Sequence, residues 1–194
     1  NHKIIKSCLY LAVEKVNIEI VKLLLIYDDI DVNFQSIESN NVNDEKIEKS
    51  PLSTAIEKEN IEIIKLLLSN QNIDVNMKII QTGCNQKIIK PVLYLAIETG
   101  NIDIVKLLLS KSEIDVNLQS IESNYEKNDK IEKSPLSTAI EKGNIEIIKL
   151  LLSNQNIDVN TKIIQTGCNQ KIIKPILCLA IETGNIDIVK ILLS

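Results

Sequence analysis

The residues best suited to nucleophilic or metal chemistry are few: Cys8, Cys84, Cys168, Cys178 and His2. No Cys-X-X-Cys occurs and no second histidine exists, so a zinc site lacks its ligand set. A hydrolytic triad has no usable base, since His2 stands alone. All 22 basic residues are lysines, so the planar fork that grips carboxylate or phosphate in two places is missing. No glycine-rich phosphate loop is present. These counts argue against an enzyme and imply neither metal nor cofactor. A net charge of −4, with lysines and acids interspersed, lacks the basic stripe of a nucleic-acid binder.

What must position these side chains is a repeat. The chain returns on itself with a period of 84 residues: Asn1-His2-Lys3-Ile4-Ile5-Lys6 becomes Asn85-Gln86-Lys87-Ile88-Ile89-Lys90, then Asn169-Gln170-Lys171-Ile172-Ile173-Lys174. Residues 1–84 and 85–168 differ at 19 positions. Each long copy holds two shorter ones, marked by Ala12, Ala55, Ala96, Ala139 and Ala180 at spacings of 43, 41, 43 and 41. A fixed period in this range means stacked supersecondary units that each contact mainly their neighbours. The chain therefore reads as one array over residues 1–194. Its units lie at about 7–33, 50–76, 91–117, 134–160 and 175–194, with connecting segments at 34–49, 77–90, 118–133 and 161–174. It begins and ends inside a unit, so it is expected to be a fragment of a longer chain.

The unit at 50–76 shows why. Ser50-Pro51 is a helix start: the hydroxyl caps an orphan N–H and proline fits the first turn. A short helix is expected over Pro51–Lys58, with small Ala55 admitting a close neighbour. Asn60 then caps a second helix, with Glu62 near its positive end. Ile61, Ile63, Ile64, Leu66, Leu67 and Leu68 make that helix apolar nearly all round, so it must be buried between neighbours. The residue between the helices is Gly100, Gly143 and Gly184 in three units, which suits a left-handed turn. Val16 and Glu59 occupy the same position in the others. Each is strained by about 1 kcal/mol if its backbone is left-handed.

Several ordered motifs resemble the ankyrin-repeat family. Ser50-Pro51-Leu52-Ser53-Thr54-Ala55 and Ser134-Pro135-Leu136-Ser137-Thr138-Ala139 are similar to its Thr-Pro-Leu-His-X-Ala. Gly143-Asn144-Ile145-Glu146-Ile147-Ile148-Lys149-Leu150-Leu151-Leu152 is similar to its Gly-His-X-X-Ile-Val-X-Leu-Leu-Leu. Asp31-Val32-Asn33, Asp74-Val75-Asn76, Asp115-Val116-Asn117 and Asp158-Val159-Asn160 resemble its Asp-Val-Asn. Tyr10, Ser53, Tyr94, Ser137 and Cys178 stand where the family has His, and Pro91 and Pro175 stand where it has a capping Thr. The period also exceeds the family's usual 33 or so. The extra residues fall in the fingers. The resemblance implies a mainly α fold, a solenoid of five stacked helix pairs with extended β-hairpin fingers.

The fingers are of two kinds. Residues 78–90 and 162–174 read Lys-Ile-Ile-Gln-Thr-Gly-Cys-Asn-Gln-Lys-Ile-Ile-Lys, isoleucine pairs flanking a glycine-containing turn, which is a hairpin signal. Cys84 and Cys168 sit at the tips, where an inert turn residue is the plainer reading than a reactive thiol. These two positions should lie roughly 20 Å apart in a regular stack, too far for a bridge. The other kind, 34–49 and 118–133, is polar, with Ile37 and Ile47 as anchors and a disorder-prone tip. Nine of the 19 differences fall at 26–29 and 41–45.

By the resemblance, the function is a protein–protein interaction scaffold whose finger tips and first-helix ends form a concave groove. The matching positions are Glu14-Lys15, Glu57-Lys58, Glu98-Thr99, Glu141-Lys142 and Glu182-Thr183, an acidic row suited to a partner with spaced basic groups. Tyr125, flanked by Glu126 and Lys127 in a divergent polar tip, is the best aromatic anchor; Tyr10 and Tyr94 read as structural. The alternative is a structural filament, spacer or elastic tether, associating laterally through its finger edges. The uncapped ends, with Ile4, Ile5, Leu9 and Leu11 at one and Ile186, Ile188, Ile191 and Leu192 at the other, suggest fraying or end-to-end association. A regulatory arm on a larger protein is a third reading. Unpaired thiols, no run long enough to span a membrane and no Asn-X-Ser/Thr sequon point to an intracellular, cytoplasmic protein.

Overall fold

A computed structural model describes residues 3–40, 44–167 and 170–193. His2 and Cys168 lie outside the described residues. The elements run β1 (Lys3–Ile5), α1 (Cys8–Glu14), α2 (Ile18–Leu24), β2 (Ser36–Asn40), β3 (Glu45–Lys49), α3 (Pro51–Glu57) and α4 (Ile61–Ser69). The second long copy gives β4 (Lys78–Gly83), β5 (Gln86–Pro91), α5 (Val92–Thr99), α6 (Ile102–Leu109), β6 (Ser120–Asn124), β7 (Asp129–Lys133), α7 (Pro135–Glu141) and α8 (Ile145–Leu152). The last elements are β8 (Lys162–Gly167), β9 (Gln170–Pro175), α9 (Ile176–Glu182) and α10 (Ile186–Leu193).

Five helix pairs stack in two rows, first helices against first helices and second against second. The core runs continuously between the rows, through Leu52, Ile56, Ile63, Ile64, Leu67, Leu93, Ile97, Ile104, Leu136, Ile140 and Ile147. Local chemistry sets the helix ends. Ser50 caps α3 in a reciprocal box with Ser53, while Pro91 and Pro175 precede α5 and α9 without any side-chain cap. Asn17, Asn60, Asn101 and Asn144 each accept a first-turn N–H of the second helix. Between the helices the backbone is left-handed in every unit, at Val16 (φ 57°), Glu59 (φ 50°), Gly100, Gly143 and Gly184.

The end residues divide. Ile4, Leu11 and Ile186 are exposed as expected, but Leu9 and Ile188 are buried, because Leu9 faces the following unit and Ile188 the preceding one; their equivalents Leu177 and Ile20, at the opposite ends, are exposed. Tyr10 and Tyr94 are buried too.

The fingers do not stand apart. Their strands join into one nine-stranded antiparallel meander, β1 to β9 in sequence order. Each finger pairs internally and also with the next, as in Glu48↔Ile80 between β3 and β4 and Ile89↔Ile121 between β5 and β6. The Ile-rich hairpin turns on Cys84-Asn85, both with positive φ, so the two-residue loop is of the primed kind that matches strand twist. Gly83 is not in the loop; it pairs with Gln86. A Cβ there would lie 2.8 Å from Glu45 Cγ and 3.0 Å from its Cα, so glycine is needed because the polar finger packs across it. Residues 41–43, part of the tip expected to be disorder-prone, lie outside the described residues. Its equivalent at 125–128 is an ordered loop in which Asn124 Oδ1 accepts from Lys127 N–H.

Candidate functional site

Residues paired across a sheet share a face, and their chain neighbours take the other. Lys49, Lys90, Lys133 and Lys174 pair with Ser36, Ile79, Ser120 and Ile163 on one face. Ile47 and Ile163, on that same face, pack against the helical core, so this face looks onto the first helices. The opposite face carries Ile37, Glu48, Ile80, Ile89, Ile121, Glu132 and Ile164. Nearer the tips it carries Lys46, Lys87, Lys130 and Lys171 alternating with Ser39, Thr82, Ser123 and Thr166. Of the two polar-finger anchors, Ile47 therefore joins the core and Ile37 does not.

This alternation decides the electrostatics of the groove. Lys6, at the end of β1, bonds Glu14 at 2.8 Å, and the pattern recurs as Lys49–Glu57 at 2.7 Å and Lys90–Glu98 at 2.8 Å. Lys133–Glu141 at 2.7 Å and Lys174–Glu182 at 2.6 Å complete it. Each glutamate expected to form an acidic row is thus held by a finger lysine eight residues earlier. The row is a ladder of ion pairs. Sequence spacing does not reveal that the preceding strand delivers a cation to each carboxylate.

The ladder has a second layer in two units. Lys6 also bonds Glu38 at 2.6 Å and lies 5.5 Å from the centre of the Tyr10 ring; Lys90 lies 5.8 Å from that of Tyr94. The bonds to Glu14 and Glu38 hold the Lys6 ammonium well above the usual lysine range, and the Lys6 bond holds the Glu14 carboxyl below its own. For Lys90 and Lys133 burial pulls downward, but the bonds to Glu98 and Glu141 outweigh it and both are raised. In the last unit Cys178 replaces the tyrosine, and Lys174 has no ring beneath it.

The other expected contact residues separate. Lys15, Lys58 and Lys142 are exposed at the first-helix C-caps, with no carboxylate in ion-pair distance among the described residues. Thr99 and Thr183 turn inward: their hydroxyls donate to the carbonyls of Ala96 and Ala180 at 2.8 and 2.7 Å and accept from Asn101 and Asn185 N–H. Tyr125 is 64% exposed, and its N–H donates to Asn85 O at 2.7 Å, tying one tip to the previous one. Two tip hollows meet at its ring. One of about 500 Å³ includes Ser123, Lys130, Thr166 and Lys171; another of about 360 Å³ includes Ser39, Lys46, Thr82 and Cys84. Both hollows are open at the sheet's tips and are lined from both of its faces, with Gln86, Asn124, Asp129 and Gln170 of the helix-facing face among their residues; none of Glu98, Glu141 or Glu182 lines either. Lys127 instead lines a hollow with Ile88, Glu122 and Ile131 on the helix-facing side, and Glu126 is exposed at the tip between.

The family is decided by comparison. A profile described as ankyrin repeats, in three copies, matches residues 3–79, 79–163 and 115–194. The chain is an ankyrin-repeat protein. Among solved structures, this ankyrin array is similar to the ankyrin repeat domain of Bcl-3, described as a unique member of the IkappaB protein family. The TM-score is 0.64 and identity is 17%, over 97% of this chain and 71% of that one. At that identity the likeness concerns the fold. A comparison with curated protein sequences gave no match. Ankyrin repeats in general mediate protein–protein interaction. Among the described residues no helix is long and apolar enough to cross a membrane, and no group of three or more His, Cys, Asp or Glu gathers to hold a metal.

Proposed function

We propose that this array is a protein–protein interaction scaffold whose partner lies along the concave groove between the first-helix ends and the finger sheet. The observation that carries the reading is a hollow of about 170 Å³ where Tyr10, Glu14, Glu38, Lys49, Glu57 and Lys58 converge from helix and finger together. Its glutamates are already bonded to lysines, so the charges left for a partner along the helix ends are Lys15, Lys58 and Lys142. The partner segment that fits is acidic, not basic. Tyr125 supplies a separate aromatic contact on the tips, since exposed aromatics dominate interface energetics. Lys15, Lys58 and Lys142 add mainly to association rate and salt sensitivity.

The test is recovery of partners from the native source with the intact array, with Tyr125→Ala and with a Lys15/Lys58/Lys142→Glu triple, each over a salt series. The triple should abolish recovery and Tyr125→Ala should weaken it. If both variants recover the same partners at the same salt, the groove reading fails. A Glu98/Glu141/Glu182→Gln triple should act by releasing Lys90, Lys133 and Lys174, strengthening recovery of an acidic partner.

A filament or spacer role is the second reading. It is favoured by the gapless 84-residue period, which stacks the helix pairs in one regular array. Sedimentation of the 194-residue chain over a concentration series decides it, since a filament grows end to end and a scaffold stays monomeric.

A further inference from the structure

The helices cover only one face of the finger sheet, the face that carries Ile47, Ile79 and Ile163. A half-buried antiparallel sheet ordinarily alternates apolar inward with polar outward. Here the outward face carries isoleucine as well. Across β2 to β8, strands that are each hydrogen-bonded on both sides, register sets Ile37, Ile80, Ile89, Ile121 and Ile164 in one row. None of these isoleucines packs against the helical core among the described residues. Glu48 and Glu132 interrupt the row at equivalent places in the two long copies.

Lysines flank the row on both sides. Two residues nearer the tips stand Lys46, Lys87 and Lys130, and two residues nearer the strand bases stand Lys78 and Lys162. Each flank is about 7 Å from the row. The two carboxylates are withdrawn beneath cations. Glu48 bonds Lys46 and Glu132 bonds Lys130, and the glutamate side chains are 20% and 21% exposed against 45% for each lysine. Lys78, Lys87 and Lys162 have no carboxylate in ion-pair distance among the described residues. The outermost layer of this face is cationic, on a chain whose net charge is −4.

We infer that the outward face of the finger sheet docks on an anionic lipid bilayer. Seven strands at the usual sheet spacing present a face about 30 Å wide. A bilayer surface meets all five lysines together. Their ammonium groups reach the headgroups, while the stems splay and let the isoleucines beneath approach the acyl boundary. A single acidic segment laid along the row fits less well. Its apolar stripe would cover Glu48 and Glu132 and strip them of water, which is costly even for a paired charge. In a headgroup layer those carboxylates stay wet. Repulsion between the bilayer and the acidic remainder of the chain turns this face toward the lipid. The surface lies outside the proposed groove and does not rest on it.

The experiment is co-sedimentation of the 194-residue chain with phosphatidylcholine vesicles, with and without phosphatidylserine. Binding should require phosphatidylserine and fall with salt. Lys87→Gln/Lys162→Gln should weaken it about 25-fold, the product of about fivefold for each lysine near the surface. Lys65→Gln/Lys106→Gln removes the same charge from exposed positions on the second helices and should change little. Acetylation of the bound chain should spare Lys78, Lys87 and Lys162 and still modify Lys58 and Lys142. No binding at any phosphatidylserine content, equal binding to neutral vesicles, an equal loss in the Lys65/Lys106 pair, or protection of Lys58 and Lys142 instead would each overturn the inference. So would soluble polyglutamate that binds the intact chain but not Lys87→Gln/Lys162→Gln while vesicles fail to bind, which would mean that an acidic protein covers the face.

Discussion

Asn76 holds Asp115 across the boundary between two units: its side-chain Oδ1 accepts from the Asp115 N–H at 2.8 Å, while its Nδ2 donates to the Glu113 carbonyl at 2.8 Å. Asn33 clasps Asp74 and Asn72 in the same way, and Asn117 clasps Asp158 and Asn156. The Asp-Val-Asn motif is therefore a staple between neighbours. Its aspartate shapes the local turn by accepting from the Asn N–H two residues on, which aims the Asn side chain at the next unit.

Removing one staple should cost about 1–2 kcal/mol, two hydrogen bonds at an exposed site. Asn76→Ala and Asn117→Ala should each lower the unfolding free energy from urea titration by that amount, with amide exchange rising first at the boundary concerned. No loss of stability in either variant would sink the account.

Val16 and Glu59 are held left-handed where three units have glycine. Val16→Gly should stabilise by about 1 kcal/mol, because a β-branched residue tolerates this backbone poorly. Glu59→Gly should yield less, since Glu59 Oε2 accepts from Asn101 Nδ2 at 3.0 Å across the unit boundary. Thermal melts of the two variants should rank in that order.

Gly83 and Gly167 occupy equivalent positions but meet different neighbours. A Cβ on Gly83 strikes Glu45 near its backbone, at 3.0 Å from Cα, whereas one on Gly167 strikes the Asp129 carboxylate, which can swing away. Gly83→Ala should cost about 2 kcal/mol, within the usual range for overpacking, and Gly167→Ala clearly less. Denaturant midpoints of the two single variants check the asymmetry.

The Lys6–Glu14 pair sets a pH window. The Glu14 carboxyl is lowered, so its contribution is complete above the ordinary carboxylate range and is lost as pH falls through its folded value. Lys6 is raised, so its contribution persists at alkaline pH and fades only above the ordinary lysine range. Carbon-detected titration should find Glu14 protonating below the usual glutamate range, and Lys6→Met should return it upward. An unchanged midpoint in Lys6→Met would show that the pair does not hold the carboxylate.

The sequence by itself determined what depends on near neighbours in the chain. Ser50-Pro51 and Asn60 mark helix starts because capping is local. Gly100, Gly143 and Gly184 mark left-handed turns because only the residue's own Cβ is at issue. Ile64, Leu67 and Leu68 mark a buried face because helical spacing is regular. Tertiary structure alone decided what depends on register between fingers, because strand pairing joins residues whose spacing the chain does not announce. That pairing merged the fingers into one sheet and delivered Lys49, Lys90 and Lys133 to Glu57, Glu98 and Glu141, turning an acidic row into neutral pairs. It also decided which finger side chains face the helices, since one step along a strand reverses the direction of every side chain.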